Sequence, residues 1–561
     1  MKLLNSRFLR GPNIFGMEPC FVTVVDLEGY RTVGVEALQS AADLLQMLMP
    51  GRFPPVFIDE CEVPRLLARL TFAAQVWVGN PAAFCYAVAF APSAPELYRL
   101  LCGYQHEAVA EEALRFSVGF VMAILDQQPF DVDGRLDHLK KIADASALTP
   151  ATVFPLNNNG RIPVVAVTGT NGKTTTTLLI SHVLRACGLR TGTTTTQGIY
   201  IDGQCVKTGD CSGYWSARRV LSNSTVQVAA LETARGGILK RGLAFDYCDV
   251  GVVLNVSSDH LGLDGIETLQ DLAHVKGLVA RCARAAAVLN ADDALCVLMR
   301  DTLAPDCKAV FFAMDPRNPV LVEHLRNGGA GAFLNDDGWL VWCHGGECST
   351  LIRAVDLPFT MQGHARYNIA NALAALAAMC CIGFEPAAIA LSLTCFISNA
   401  QSNPLRGNLF EVDGVQLIVD YAHNAVAYRA LCEMAQSMRQ GSARLLGVVT
   451  APGDRRSEDL YETGQVCGQS FDELVVYEHD PRGRSTGGIA SEILRGARSI
   501  APNKLMHGEP RIRHALWLGL TAAKAGDVLV FTCAGTFEDL VEGIRLKNPA
   551  EADRIAREVS A

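Results

Sequence analysis

The spacing of apolar and polar positions along this 561-residue chain changes most clearly around residue 170. Residues 163–167 form an apolar run with the length of one buried parallel strand. After a glycine turn, apolar side chains recur at helical spacing from Leu178 to Leu184, and Gly188 is placed to end the helix. The pattern therefore predicts a strand, a tight turn and a helix in direct succession.

The turn between these two elements has the sequence TGTNGKTT, which contains the spacing GxxGKT. Glycines allow unusual backbone angles, and the free amides at a helix N-terminus bind phosphate. Lys173 adds a positive charge, and the hydroxyl of Thr174 can bind magnesium. A chance Gly-Lys-Thr is the alternative, since the loop is shorter than the usual GxxxxGK[ST] pattern. We predict a nucleotide site formed by Gly169, Thr170, Asn171, Gly172, Lys173, Thr174 and Thr175.

Strand and helix patterns divide the chain into three predicted domains. Residues 1–158 mix strand patterns (21–25 and 32–35) with helical patterns (64–76 and 107–125), which indicates an α+β domain that ends in a polar linker at 157–160. Residues 159–400 and 401–561 alternate strand and helix, which predicts two α/β domains with mostly parallel sheets. Strands are expected at residues 226–231, 250–254, 285–289, 415–419, 445–449, 474–477 and 528–531. Polar residues follow these strands, where open α/β sheets bind ligands.

Composition excludes several classes of protein. With 49% hydrophobic and 19% charged residues, the chain is typical of a well-buried globular enzyme. Its net charge of −9 argues against a nucleic-acid partner. The 19 cysteines contain no CxxC pair, so we expect reduced thiols rather than zinc sites or disulfides. The N-terminus lacks a signal-peptide pattern and the apolar runs are too short to span a membrane, which predicts a soluble, cytoplasmic protein.

Seven motifs follow one another along residues 160–561: TGTNGKTT, a glutamate at a strand end, NVSSDH, a later lysine, GHARYNIANA, an arginine before DYAH, and GDRR. This series resembles the Mur ligase family, which uses ATP to form amide bonds. The resemblance implies a phosphate-loop central domain with a parallel sheet and a Rossmann-like C-terminal domain. It also implies a reaction in which ATP phosphorylates a carboxylate, an amine attacks the acyl phosphate, and ADP and phosphate are released.

Other segments resemble the cyanophycin synthetase branch of this family. These are GTTTTQGIYIDG, LETARGGILKRGL and RGR in the ligase part, and LRGPN at residues 9–13. That branch carries an ATP-grasp domain between these two parts, whereas this chain runs directly from one to the other. The resemblance therefore implies one ATP site instead of two, and it leaves open a separate ATP-grasp protein as a partner.

The resemblance assigns catalytic and metal-binding roles to five residues. Lys173 would bridge the β- and γ-phosphates, and Thr174 and Glu232 would hold a first Mg²⁺. His260 would serve a second Mg²⁺, joined by Lys276 if that lysine carries a carbamate, which requires a neutral amine. The alternatives are a surface carboxylate at Glu232, a structural histidine at His260, and a solvated Lys276 on a helix predicted over residues 267–286.

Four more residues match ATP-binding positions of the family. Asn368 and Asn371 match asparagines that contact adenine, although each could equally make a packing hydrogen bond within a helix. Arg406 matches an arginine that reaches an ATP phosphate from the third domain. Asp420 matches the acid that binds the ribose.

The amine substrate is expected to meet the third domain. Arg482 matches the position at which muramyl ligases of this family have an arginine that binds the carboxylate of the incoming amino acid. A guanidinium suits this bidentate contact. A surface charge cluster is the alternative for the GDRR residues. Ala425 replaces the usual proline after DYAHN, which leaves the conformation of that turn open. The expected substrate-binding residues are His423, Asp454, Arg455 and Arg482.

These inferences predict a ligase that joins an amino acid to a carboxylate acceptor, either a small molecule or a peptide, with ATP and two Mg²⁺ ions. We expect a homo-oligomer, with a dimer as the simplest case. One alternative is a muramyl-peptide ligase, but residues 1–158 do not resemble a UDP-sugar-binding domain. Another is a catalytically weak, nucleotide-dependent polymer-binding protein, and the intact Lys173, Glu232, His260 and Lys276 argue against it.

Overall fold

A computed structural model describes residues 2–27, 35–49, 63–79, 84–91, 94–104, 106–147, 162–532 and 536–560. The chain divides into two units. The first comprises Met1–Arg161, Gly213–Arg218 and Arg235–Asp246, and the second comprises Ile162–Ser212, Arg219–Ala234 and Tyr247–Ala561. The predicted linker at 157–160 and residues 32–34 of a predicted strand lie outside the described residues, and Val35 begins a helix instead.

The first unit contains an antiparallel sheet in the order β1-β2-β4-β3, with helices packed against one face. Phe21, Leu67, Leu100 and Phe116 lie in the core between the sheet and the helices. The predicted strand at 21–25 and the helices at 64–76 and 107–125 are confirmed. The elements are β1 (Lys2–Leu9), β2 (Cys20–Asp26), β3 (Cys85–Ala91), β4 (Ala94–Gly103), α1 (Val35–Leu48), α2 (Val63–Trp77), α3 (Glu107–Leu125) and α4 (Val132–Ala147).

The N-terminal part of the second unit has an eleven-stranded sheet in the order β15-β14-β13-β12-β11-β10-β5-β9-β6-β7-β8. The strands from β13 to β6 are parallel, and antiparallel hairpins extend both edges. Its strands are β5 (Val164–Thr168), β6 (Thr191–Thr194), β7 (Gly198–Ile201), β8 (Gln204–Thr208), β9 (Val228–Glu232), β10 (Cys248–Val253), β11 (Ala283–Asn290), β12 (Lys308–Ala313), β13 (Ala330–Leu334), β14 (Trp339–His344) and β15 (Glu347–Arg353). The helices along residues 173–393 are α5 (Lys173–Ala186), α6 (Tyr214–Leu221), α7 (Arg235–Arg241), α8 (Leu269–Arg281), α9 (Ala294–Leu298), α10 (Pro319–Arg326), α11 (Arg366–Ile382) and α12 (Pro386–Leu393). Of these, α7 and residues 214–218 of α6 belong to the first unit.

The C-terminal part has a six-stranded sheet in the order β16-β17-β21-β18-β19-β20, parallel except for β16. Alternate strand residues enter two separate cores, since Ile418 packs in one and Leu417 and Val419 in the other. A sheet covered on both faces explains its uninterrupted apolar strands. The elements are β16 (Asn408–Val412), β17 (Val415–Asp420), β18 (Leu445–Val449), β19 (Glu473–Val476), β20 (Leu505–Gly508), β21 (Val528–Thr532), α13 (Ala425–Met438), α14 (Ser457–Ser470), α15 (Gly488–Ile500), α16 (Ile512–Ala522), α17 (Phe537–Arg545) and α18 (Pro549–Ser560).

The two α/β sheets confirm the predicted fold class, and the strands expected from the sequence form within two residues of their predicted ends. The strand β5 lies between β9 and β10, while the chain runs from β5 to β6 on the far side of β9. The chain later crosses from β9 to β10 on the other side of β5, so the strand order reverses at β5, and ligands bind at the carboxyl end of such a strand. The predicted phosphate loop lies at that end.

The segment LRGPN lies in the first unit against the residues that follow α7. The amide of Arg10 donates to the carbonyl of Arg241 (2.8 Å), and the amide of Leu243 donates to the carbonyl of Pro12 (2.8 Å). A Cβ on Gly11 would lie 2.1 Å from the carbonyl oxygen of Leu243, so this approach requires glycine. The motif thus joins two backbone segments that are distant in sequence.

The helix predicted over residues 267–286 is wrong at its C-terminal end. A capping box at Thr268 starts α8, which ends at Arg281, and residues from Ala283 onward form β11. The alanines of β11 pair with β10 in a parallel ladder. Alanine favours helix locally, but here the tertiary pairing determines the structure.

The prediction of reduced thiols is wrong for one pair. Cys343 and Cys348 form a disulfide, because the hairpin of β14 and β15 places them opposite each other with their Cα atoms 4.1 Å apart. The other cysteines of the described residues are free. None of the described helices combines the length and the hydropathy that a membrane span requires.

Candidate active site

The phosphate loop connects β5 to α5 through two glycines with positive φ. Gly169 has φ +156° and Gly172 has φ +87°, and the helix begins at Lys173. A Cβ on Gly172 would lie 2.3 Å from Oδ1 of Asn371, so both the backbone angle and the available space require glycine there. The loop therefore has the predicted strand–turn–helix form.

Asn255, which begins the NVSSDH motif, braces this loop. Its Oδ1 accepts hydrogen bonds from the amides of Thr170 (3.0 Å) and Asn171 (2.9 Å). Its Nδ2 donates to the carbonyl of Asn171 (3.1 Å). We assigned no role to Asn255 from the sequence, although its position after β10 was a usable signal.

Two lysines converge on one carbonyl of the loop. Nζ of Lys173 donates to the carbonyls of Gly169 (3.1 Å) and Thr170 (2.8 Å). Nζ of the buried Lys276 donates to the carbonyl of Gly169 (2.7 Å). Burial lowers the pKa of Lys173, and the carboxylates of Glu232 and Asp259 oppose that shift. The amines of Lys173 and Lys276 are therefore both held directly at the loop.

Glu232 ends β9 and is buried beside Thr174. Its Oε2 accepts hydrogen bonds from the Thr174 hydroxyl (2.9 Å) and the Thr196 amide (3.0 Å). Its Oε1 is buried without a hydrogen-bond partner among the described residues. Burial raises the pKa of Glu232, while Lys173 opposes that shift. A buried carboxylate oxygen without a donor is a suitable position for a cation.

The oxygens of Thr174 and Glu232 fit magnesium, which prefers hard oxygen ligands and takes many of them from water and phosphate. Within the described ranges, no group of three or more His, Cys, Asp or Glu side chains could hold a metal without other ligands.

A cavity of about 430 Å³ opens beside the phosphate loop. One side is polar, with Glu232 and the loop residues, and another is apolar, with Phe312, Ala370, Val426 and Leu431. Pockets of this size that combine apolar walls with a few polar groups are typical of small-molecule sites. The predicted residues that line the cavity are Thr170, Asn171, Gly172, Lys173, Thr174, Thr175, Glu232, Asn371, Arg406, Asp420 and His423.

The two asparagines of α11 have different positions. Asn371 lines the cavity, and its Nδ2 donates to Oδ1 of Asn368 (3.1 Å). Asn368 donates in turn to the carbonyl of Phe359 (2.7 Å) and lies behind Asn371. The structure thus places Asn371 at the cavity and Asn368 as the residue that orients it.

Arg406 and Asp420 reach the cavity from the C-terminal part of the unit. The Arg406 guanidinium stacks 4.5 Å from the ring centroid of Tyr421, and its Nη2 lies 3.5 Å from the Thr174 hydroxyl. Asp420 ends β17, and its Oδ1 accepts from the Ala422 amide (2.8 Å). Burial raises the pKa of Asp420, while Arg406 opposes that shift.

The DYAHN turn forms without the proline of the family. Asn424 caps α13 by accepting from the Ala427 amide (2.9 Å), and the helix begins at Ala425. The side-chain amides of Asn424 and Asn171 also pair with each other (3.1 Å and 3.3 Å). Alanine is compatible with the first helical position, so the doubt about this turn is removed.

His260 lies outside the residues that line the cavity. It has φ +60°, and its Nε2 accepts a hydrogen bond from Nη2 of Arg455 (2.9 Å). Nε of Arg455 donates to Oδ1 of Asp259 (2.7 Å), and Nη1 donates to Oδ1 of Asp454 (2.7 Å). Arg455 is 4% exposed and is fully engaged in these contacts.

Asp454 links Arg455 to the predicted amine site. Its Oδ2 accepts from Nη1 of Arg482 (2.9 Å), and Arg482 also donates to Asp480 (2.8 Å). The Arg482 side chain is 42% exposed, so solvent reaches part of its guanidinium. The predicted site residues thus form two neighbouring groups, one around the cavity and one around Arg455.

Two family descriptions match this chain. Residues 167–379 match the Mur ligase middle domain, and residues 406–535 match the glutamate ligase domain of Mur ligases. The two matches fall on the two parts of the second unit that contribute to the cavity.

Curated relatives and a solved structure agree with these matches. Cyanophycin synthetase of a Synechocystis species is 45% identical over 61% of this chain and 39% of that protein. A UDP-N-acetylmuramoyl-L-alanyl-D-glutamate–2,6-diaminopimelate ligase of Geobacter metallireducens is 28% identical over 69% of this chain and 76% of that protein. The chain spans about two fifths of the length of the cyanophycin synthetases it matches.

The solved structure of a pseudomurein peptide ligase type C from Methanothermus fervidus is 17% identical and covers 75% of this chain and 84% of that chain, with a TM-score of 0.50. At that identity the likeness concerns the fold alone. The family is shown by the matches at residues 167–379 and 406–535, which together cover more than half of the chain, and the chain therefore belongs to the Mur ligase family.

Proposed function

We propose that this chain is an ATP-dependent amide ligase of the cyanophycin synthetase type. It phosphorylates a carboxylate, joins the acyl phosphate to the amine of an amino acid, and releases ADP and phosphate. One observation carries the proposal: a single cavity brings the phosphate loop and the Thr174–Glu232 pair together with Arg406 and Asp420.

The cavity suggests how ATP would lie. The phosphates would meet the loop amides, Lys173 and Arg406, because phosphoryl transfer is promoted mainly by positioning and charge neutralisation. The nucleoside would extend toward Asn371 and the apolar wall that includes Leu431. Asp420 is placed to accept a hydrogen bond from the ribose. Magnesium held by Thr174 and Glu232 would supply further charge neutralisation at the phosphates.

The amine substrate would approach the group around Arg455. The solvent-exposed side of Arg482 can bind the α-carboxylate of an amino acid, while Asp454 and Asp480 hold its guanidinium in place. The buried Arg455 would support this site, and His423 would lie between it and the cavity. The carboxylate substrate, a peptide or an aspartate side chain, would enter beside Glu232.

A second metal site stays a prediction. His260 and Lys276 are candidates, with or without a carbamate on the lysine. Homo-oligomer formation and a separate ATP-grasp partner are proposed on the resemblance alone.

A phosphate-release screen tests the proposal. The purified chain is given ATP, Mg²⁺, a panel of amino acids and a panel of carboxylate acceptors that includes aspartyl peptides, and products are weighed by mass spectrometry. The expected result is phosphate release that requires both an amine and an acceptor. Turnover restricted to UDP-muramyl peptides would instead identify a muramyl-peptide ligase. ATP hydrolysis that never depends on an amine would support a nucleotide-dependent binding protein.

A further inference from the structure

The loop after β10 carries a buried carboxylate, Asp259, for which the ligase chemistry gives no direct use. Asp259 is 6% exposed and its Oδ1 accepts from Nε of Arg455 (2.7 Å). Its Oδ2 lies 3.6 Å from Nε2 of His423 and 3.7 Å from Nε2 of His260. Asp259 therefore contacts three side chains, and two of them, Arg455 and His423, belong to the C-terminal part of the unit.

Arg455 uses each of its three nitrogens for a different partner. Nε binds Asp259, Nη2 binds His260, and Nη1 binds Asp454. A guanidinium is planar and rigid, so fixing one edge on Asp259 also fixes the direction of the edge that faces Asp454. The backbone of Arg455 is held separately, since its carbonyl accepts from Arg484 (2.6 Å).

Asp454 contacts both Arg455 and Arg482. Its second oxygen holds Nη1 of Arg482 at 2.9 Å. The contacts therefore form a continuous chain, Asp259–Arg455–Asp454–Arg482, from the loop beside the phosphate-loop strand to the proposed amine site. Asp259 and Arg455 are buried, the Asp454 side chain is 21% exposed, and the Arg482 side chain is 42% exposed.

We propose that Asp259 is a positioning residue that orients Arg482 for the amine substrate through Arg455 and Asp454. It touches neither nucleotide nor amine. The inference deepens the proposed function, because the amine site is part of that proposal. It assigns the selectivity for the amine partly to a residue of the middle domain.

The first test compares the KM for the amine with the KM for ATP. Asp259→Asn keeps the shape but removes the charge that fixes Arg455. The variant should raise the KM for the amine by about fivefold to tenfold, and no more than the loss of Arg482 itself does, while the KM for ATP stays within about twofold of wild type. Asp315→Asn, at a surface aspartate paired with Arg317, is the matched control and should change neither constant. A purely structural role for Asp259 would lower the fraction of active protein and leave both constants unchanged, which would overturn the proposal.

A double substitution tests whether Asp259 and Asp454 act through the same series of contacts. Asp454→Asn breaks the next contact, so it should raise the amine KM in the same way. If both residues act through the same series of contacts, the amine KM of the double variant should be no higher than that of the more strongly affected single variant. Multiplied effects would mean that the two residues act independently, and the proposal would fail.

Hydrogen exchange separates this inference from the proposed function, since it needs no turnover. In Asp259→Asn, the amides of residues 453–456 and 480–484 should exchange faster than in wild type, while those of residues 169–173 should not change. Asp315→Asn should leave all three segments unchanged. If Asp259→Asn does not fold, the same measurement on Asp454→Asn should show faster exchange at 480–484. Unchanged exchange at 480–484 in a folded variant would contradict the proposal, whether or not the protein is a ligase.

Discussion

The sequence predicts functional roles for Glu232 and for Arg455, and in the structure each is the centre of a group of polar side chains. The two groups differ in how completely their central residue is hydrogen-bonded. Around Glu232, one carboxylate oxygen is buried without a donor among the described residues, and the surrounding side chains line a cavity. Around Arg455, every guanidinium nitrogen has a partner and the side chain is buried.

The difference indicates separate roles for similar residues. An incompletely paired carboxylate costs stability in the free protein, and this cost is offset where a cation or ligand binds. An arginine whose three side-chain nitrogens each have a protein partner fixes the relative positions of those partners. The cavity around Glu232 is therefore suited to binding and chemistry, and the group around Arg455 is suited to support.

Lys173→Ala should give the largest effect on activity. It removes a charge at the phosphate loop that no neighbouring group replaces, so ligation should fall by on the order of 10³-fold. The thermal unfolding midpoint should change little. Lys308→Ala, at an exposed lysine on β12, is the control and should retain full activity. Phosphate release with the correct substrates would measure both variants, and near-normal turnover of Lys173→Ala would place this lysine outside the active site.

Glu232→Gln should separate activity from stability. Ligation should fall by on the order of 10²-fold, partly restored by higher magnesium, because the amide is a poor cation ligand. Burial raises the pKa of Glu232, so the folded state binds this proton more tightly than the unfolded state does. The stability of the free protein should therefore decline as pH rises from about 4.5 through the raised pKa, and the substitution should remove that decline. Melting curves at pH 5 and pH 8 without magnesium measure this, and a lower midpoint for the variant at pH 8 would contradict it.

Lys276→Ala should reduce activity roughly 10- to 100-fold, as for other outer contacts of a metal site. Its amine holds the carbonyl of Gly169, so some loss is expected with or without a carbamate. Short carboxylic acids should restore activity only if a carbamate occupies a metal-ligand position. Activity assays with and without added acetate distinguish these cases, and full activity of the variant would remove Lys276 from the site.

Two arginine substitutions should have different effects, because Arg455 supports the proposed amine site and Arg482 is expected to bind the substrate. Removing the buried Arg455 takes away the guanidinium that pairs with the buried Asp259, which should cost about 3–5 kcal/mol of unfolding free energy. Arg482 is partly exposed, so its removal should change stability by less than ~1 kcal/mol. Arg482→Ala should instead raise the KM of an amino acid roughly tenfold, which is about 1.4 kcal/mol, and should not affect a decarboxylated amine. Equal effects on both amines would remove Arg482 from the amine site.

The parts of the site that the sequence predicts well depend on local pattern. The strand, the glycine turn and the start of α5 follow from adjacent residues, and so does the position of Glu232 at the end of β9. The roles of neighbouring helix residues are harder to predict, because the sequence pattern does not distinguish Asn371, which lines the cavity, from Asn368, which lies behind it.

Contacts between distant segments are not visible in the sequence. The pairing of Asp259 with Arg455 joins residues 196 positions apart, and neither the NVSSDH motif nor the GDRR motif indicates that these two residues meet. The helix predicted over residues 267–286 included the start of β11, because helix propensity is local, whereas pairing with β10 is not. The disulfide between Cys343 and Cys348 likewise depends on the register of a hairpin.

The central claim is that one nucleotide site activates one kind of carboxylate for attack by an amino acid. The most direct test counts ADP and product together, using mass spectrometry on the purified chain with ATP, an aspartyl-peptide acceptor and one amino acid at a time. The account predicts one added amino acid per ADP, with no long polymer from free aspartate, arginine and ATP alone. Unprimed polymer from the purified chain, or ADP formed without any amide product, would contradict it.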